Sequence, residues 1–218
     1  MFHDETTGLR VHDNVHPVTW HGDAKHGLTV RHEEQRETMW CGLHAVNNVA
    51  QACLVSRHDA FIVTQDLMTE TKDSYIAAGV AHAYKTGGDP LAAMKKAKQA
   101  AAITANPTDH LSQRGDLSVE VIQALITAKL GGTAQLLPKK VFNQGFARWV
   151  AFADEHVLDD HRIAGFIVQT GYHWLAVYKK GNHWVYADSL HNKPRIGWPP
   201  AKRAPPVEAV LLVQFPKN

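Results

Sequence analysis

Cysteine is nearly absent: Cys41 and Cys53 are the two in 218 residues, twelve positions apart on what reads as one helix. A pair so placed excludes a disulfide framework. The expected setting is a reducing one, the cytoplasm of the protein's own cell or the cytosol of a host into which it is delivered. No Cys-x-x-Cys pair exists, and the 15 histidines, six of them before position 33, lack ligand-type spacing. Neither a metal nor any other cofactor is therefore expected. An excess of one charge is missing too. The 23 Lys and Arg against 21 Asp and Glu leave +2, which gives no footprint for nucleic acid or a membrane surface. Long apolar runs are broken by Gln, His or Lys, so no segment reads as a membrane span. The polar, acidic start MFHDETTGLR is unlike a secretory signal. With no internal repeat, a monomer of one or at most two domains is expected.

What remains is a chain that is 44% hydrophobic, enough for a sizeable core. Residues 1–30 are rich in His, Asp and Gly without a period and read as an N-terminal extension, leaving 31–218 for the main domain. Thr38 is a candidate cap for a helix over about 40–53. Val46, Val49, Ala50 and Cys53 recur there at helical spacing and predict its buried face. A second helical region covers about 58–105 and breaks at Gly87-Gly88. Asp89 followed by Pro90 then supplies a new cap and a first-turn proline. This pair of helices reads as a hairpin or arm. Val121, Ile122, Leu125 and Ile126 mark an amphipathic helix from Ser118 to Leu130, closed by Gly131-Gly132. A further helix is expected over about 144–155. The stretches IAGFIVQ, HWLAVYK, HWVYADS and EAVLLVQF read as strands, whereas WPPAKRAPP is too proline-rich for regular structure. Helices first and an antiparallel sheet after them predict an α+β domain.

The chemistry begins in a hairpin. Gly181-Asn182 is a favourable two-residue turn, which pairs Lys180 with His183 and sets Leu175 opposite Asp188. Because side chains alternate with a period of two, His173 shares a face with Leu175. His173 and Asp188 become diagonal neighbours within hydrogen-bond reach, and His183 falls on the other face. A histidine held by a carboxylate is an oriented base that needs a group to activate. Cys41 supplies one, in TMWCGLHAVNN, at the first turn of a helix whose positive end favours a thiolate. A thiolate paired with an imidazolium attacks carbonyl carbon. Gly42 would leave room beside the nucleophile. Gln35, six positions upstream, would add its side-chain amide to the Cys41 backbone N–H in an oxyanion hole. Each residue has a plainer reading: a core cysteine, a solvated charged run RHEEQRE, a packed histidine, a turn aspartate. The order Gln, Cys, His, Asp with one consistent geometry favours catalysis. His44, one turn after Cys41, is the rival base. A base offered across a cleft from a sheet suits proton transfer better, so His44 reads as structural or as a minor substrate contact.

The segments HEEQ at 32–35, CGLHAVNNVAQ at 41–51, GDLSVEVIQALI at 115–126 and HWLAVYKKGNHWVYADSL at 173–190 resemble the Josephin family of deubiquitinases. The resemblance spans roughly residues 31 to 215 and implies a papain-like fold, with a helical lobe and protruding helical arm packed on an antiparallel sheet. It matches Cys41 to the family nucleophile, His173 to its base, and Asp188 to a third position held by Asn or Asp. Gln35 matches the oxyanion glutamine, one residue farther from the cysteine than is usual for the family. Region 58–105 corresponds to the family's arm without recognisable similarity, and the proline-rich segment 199–206 stands where the family is usually helical. The implied activity is hydrolysis of the isopeptide or peptide bond after the C-terminal diglycine of ubiquitin or polyubiquitin, or of a ubiquitin-like modifier. A diglycine lets two walls approach closely, and Trp40, Tyr172 and Trp174 are candidates for those walls. Two other readings use the same residues: an acyltransferase or transglutaminase-like enzyme, and an inactive ubiquitin-binding module.

Overall fold

The computed structural model describes residues 2–3, 10–11, 18–35, 40–104, 111, 116–142, 162–171, 173–197 and 206–216. In chain order, short strands β1 (Phe2–His3) and β2 (Arg10–Val11) pair with each other, as do β3 (Val18–Asp23) and β4 (Leu28–Glu33). The helices α1 (Cys41–Ala50), α2 (Arg57–Thr86), α3 (Pro90–Thr104) and α4 (Val119–Leu130) come next. Strand β5 (Thr133–Leu136), the short helix α5 (Lys139–Phe142), β6 (Ile163–Thr170), β7 (His173–Lys180), β8 (His183–Ala187), β9 (Arg195–Ile196) and β10 (Ala209–Gln214) complete it. The six-stranded sheet runs β5-β10-β6-β7-β8-β9, and every pair in it is antiparallel. This is the α+β arrangement expected from helices first and strands later.

Alternation along the strands divides the core. Trp174, Ala176, Tyr178, Leu211 and Val213 face α1 and α4, whereas Leu175, Val177, Phe166, Val168 and Val210 face the other way, against Leu137 and Phe142. On the first face α4 presents Val121, Ile122, Leu125 and Ile126, all fully buried. Ser118 caps it by accepting from the Val121 N–H at 3.3 Å, and Gly131 ends it in the left-handed conformation. The arm is built by the same local rules. Ser56 and Asp59 form a reciprocal capping box at the start of α2. Gly87 closes α2 in the left-handed region, and Asp89 accepts from the Leu91 N–H at 2.9 Å to start α3. The first turns of α2 bury Ala60, Phe61 and Val63 in the lobe. Farther along, α2 packs against α3, where Gly79 lets Ala97 come close enough that a Cβ would meet its methyl at 2.9 Å.

Three expectations change. Helix α1 buries every residue from Cys41 to Val49, not one face, because the sheet, β4 and α4 enclose it. Cys53 is exposed, not a core residue. Gln51 takes a left-handed conformation (φ 54°) that ends the helix and turns the chain outward, with its side chain bonded to Arg31 and Tyr178. The boundary drawn between residues 30 and 31 falls inside β4, whose residues Val30 to Glu33 are buried. Thr38, the helix expected over 144–155 and most of the proline-rich stretch lie outside the described residues.

Candidate active site

Gly181, with φ 57°, makes the β7–β8 turn, and Lys180 pairs with His183, the register expected from a two-residue loop. That register carries Asp188, one residue past β8, to the beginning of β7. There His173 Nε2 donates to Asp188 Oδ1 at 2.7 Å. The Leu190 N–H donates to the same oxygen at 3.0 Å. Cys41 lies near enough to the His173 ring to act on it. With Nε2 committed to Asp188, Nδ1 is the nitrogen left for the sulfur. Burial alone would pull the imidazolium down, but the Asp188 hydrogen bond and the neighbouring Cys41 outweigh it and raise His173 to about 9. Burial pushes the Asp188 carboxyl up, but the His173 hydrogen bond overrides that and holds it below the usual carboxylate range. The thiol, ring and carboxylate are thus brought together from α1, β7 and the turn after β8.

Gln35 is tied to the same turn. Its N–H donates to the Ser189 carbonyl at 2.7 Å, and Ser189 Oγ donates to Gln35 Oε1 at 3.3 Å. With Oε1 so engaged, Nε2 is the end of the amide available to an oxyanion. The residues before it are not a solvated charged run. Arg31, His32 and Glu33 are 4%, 0% and 1% exposed. Glu33 accepts from Arg31 Nη2, from His44 Nδ1 at 3.0 Å and from Asn47 Nδ2 at 3.1 Å. Its own N–H donates to Asn48 Oδ1 at 2.9 Å. Burial drives this carboxyl up, and the bonds from His44 and Arg31 more than compensate, leaving it below the usual range. The cluster locks β4 to α1, and so sets Gln35 relative to Cys41. His44, fully buried and committed to Glu33, belongs to that lock.

A family model, Josephin, matches residues 35–197, from Gln35 through both strands of the hairpin. The chain belongs to the Josephin family. The fold above is accordingly the papain-like Josephin fold, and Josephin domains are of the deubiquitinase-type cysteine protease class. No curated protein matches the chain.

Within this Josephin domain the residues expected beside the nucleophile have other neighbours. A Cβ on Gly42 would meet Leu117 Cβ and Ile122 Cδ1 at 3.2 Å, so this glycine serves the packing of α1 on α4 and not room for a substrate. Trp174 is 2% exposed, and its indole N–H donates to the Leu117 carbonyl at 3.0 Å. Its parity, opposite to His173, puts it in the core and not on a slot wall. Trp40 is also buried, with the Arg57 guanidinium 5.4 Å from its ring centre. Tyr172 lies outside the described residues. Sequence reasoning passed over Glu33, His32 and Ser189, although all three stand inside the segments that carry the family resemblance. Among the described residues, no group of three or more His, Cys, Asp or Glu is placed to hold a metal, and no helix is long and apolar enough to cross a membrane.

Proposed function

We propose that this Josephin domain hydrolyses the isopeptide or peptide bond after the C-terminal diglycine of ubiquitin, with Cys41 as nucleophile, His173 as acid and base, and Asp188 as the carboxylate that orients the ring. The observation that carries this reading is a single imidazole that donates to Asp188 at 2.7 Å while Cys41 acts on the same ring. An imidazole raised to about 9 holds its proton at neutral pH, which favours the thiolate–imidazolium pair over the neutral one. The thiolate attacks the carbonyl carbon of the terminal glycine. Gln35 Nε2 and the Cys41 N–H would receive the negative oxygen. His173 then gives its proton to the departing amine, and the C–N bond breaks to leave a thioester. Water, giving a proton to the same imidazole, attacks that thioester. The C–S bond breaks, the ubiquitin carboxylate leaves, and the ion pair is restored. On this reading the catalytic unit is residues 31–218 together with the β3–β4 hairpin that enters them, acting as a monomer on ubiquitin or polyubiquitin. The thiol requires reducing surroundings, the cytosol of its own cell or of a host.

The test is ubiquitin carrying a C-terminal fluorogenic amide. Wild type should release the fluorophore and Cys41→Ala should not; equal slow release from both removes the proposal. His173→Ala should lose most turnover while folded His44→Ala keeps a substantial part. A trapped thioester that passes to an added amine in preference to water would turn the reading to acyl transfer. Ubiquitin binding without reaction toward an electrophilic ubiquitin probe would turn it to a binding module.

A further inference from the structure

Asp188 and Ser189 are buried, but the second half of their turn is weakly held by packing. Leu190 and the His191 side chain are 60% and 71% exposed. The turn closes on itself through the His191 N–H to the Asp188 carbonyl and the Leu190 N–H to Asp188 Oδ1, both at 3.0 Å. Among the described residues, two bonds to its backbone tie it to the rest of the molecule, and both come from residues 32–35. One is the Gln35 N–H to the Ser189 carbonyl. The other is a side chain: His32 Nε2 to the His191 carbonyl at 2.8 Å. A carbonyl only accepts, so the His32 proton is on Nε2 and Nδ1 is bare. His32 is fully buried, and its Nδ1 has no hydrogen-bond partner among the described residues. An unsatisfied buried acceptor is left with the cost of its lost hydration. A site that needed only filling would be better served by leucine. What the imidazole adds is one donor, aimed at one carbonyl.

We infer that His32 is a positioning residue, which keeps the Asp188 carboxylate in register with His173 by clamping the backbone of the 188–191 turn. The inference rests on the reading of Cys41, His173 and Asp188 as the catalytic groups. The groups around His32 suit a neutral donor. The His21 ring sits edge-on at 5.9 Å, and the Asp188 and Glu34 charges are near enough to act on it. Burial, the largest influence, holds the imidazole below its ordinary value, which favours the neutral form. His32 lies outside residues 35–197, the range of the family match. The β3–β4 hairpin that precedes that range is therefore part of the apparatus around the base.

The experiment uses the full chain with Cys53→Ser, so that Cys41 is its one thiol, and compares His32→Leu with His32→Gln. Leucine fills the space without the donor; glutamine returns an N–H near the position of Nε2. Two readouts are taken: kcat and KM on the fluorogenic ubiquitin amide, and the pH dependence of Cys41 alkylation by iodoacetamide, which needs no ubiquitin. His32→Leu should lose about tenfold to a hundredfold in kcat with little change in KM. Its alkylation profile should lose the basic edge set by His173, which moves to lower pH as Asp188 drifts from the ring and leaves Cys41 and burial to set the imidazole. His32→Gln should restore both. A leucine variant with wild-type kcat and an unmoved basic edge overturns the inference, as does a kcat loss that glutamine does not repair. If His32→Leu does not fold, His32→Phe replaces it. Failure of both to fold, beside a fully active glutamine variant, makes the residue structural only and equally overturns the inference. Cys41→Ala and His173→Ala are run alongside. Activity surviving in those two sinks the catalytic reading itself, a different outcome from an indifferent His32.

Discussion

Asp188→Ala removes the carboxylate to which His173 Nε2 donates, and its cost follows from the electrostatics of the ring. The gap between the ordinary 6.5 and about 9 corresponds to roughly 3 kcal/mol favouring the imidazolium, after burial has acted against it. Asp188 and Cys41 supply that preference together, with the Asp188 hydrogen bond the leading favourable influence. Without the carboxylate, burial and Cys41 remain, and the imidazole should fall by at least about one pH unit, or roughly 1.4 kcal/mol. Loss of the bond that orients the ring should lower kcat by about a hundredfold. Asp188→Asn should be milder, because an amide oxygen still accepts from Nε2 and keeps the ring turned toward the sulfur. The assay is kcat/KM on the fluorogenic ubiquitin amide as a function of pH. Wild type should decline as pH rises through about 9, and Asp188→Ala should decline earlier. A basic limb in Asp188→Ala identical to wild type, or an asparagine variant slower than alanine, refutes the reasoning.

His173 also predicts how stability depends on pH. Its folded value lies above its unfolded one, so its contribution is complete below 6.5 and lost as pH rises through about 9. Denaturant midpoints should fall over that interval, and less steeply in His173→Ala. His44→Ala strips a partner from the buried Glu33 carboxylate and should destabilise by about 3 kcal/mol; an unchanged unfolding free energy would exclude the lock between β4 and α1. Gly42→Ala places a methyl against Leu117 and Ile122 and should cost about 1–3 kcal/mol in thermal unfolding. An unaltered midpoint would mean the glycine faces open space after all.

The hairpin was readable because its geometry is local. A two-residue turn with Gly181 in it leaves one register, and a period of two then says which side chains share a face. The arm and α4 were readable for similar reasons, since Gly87, Asp89, Ser118 and Gly131 act within a few residues of themselves. Neighbours in sequence were a poorer guide. Trp40, Gly42 and Trp174 flank the reactive residues along the chain, yet they point into the packing of α1 on the sheet and α4. The run RHEEQRE carries charges that pattern alone assigns to water. Their burial depends on His44, Asn47 and Asn48, which only the folded helix supplies. In β3 the alternation is inverted, with Val18 and Trp20 exposed and Thr19 and His21 half-buried, so the pattern did not mark the β3–β4 hairpin.

By itself the sequence determined the main helices, the strands β6, β7, β8 and β10, and the pairing of His173 with Asp188, since each depends on spacing over a handful of residues. The tertiary structure alone decided that Cys41 meets that pair across more than a hundred positions of chain. It also decided that Glu33 and His44 are buried together and that His32 bonds the turn that follows β8. Such contacts join segments with no shared periodicity, so only the packing of α1 and β4 against the sheet brings them within reach.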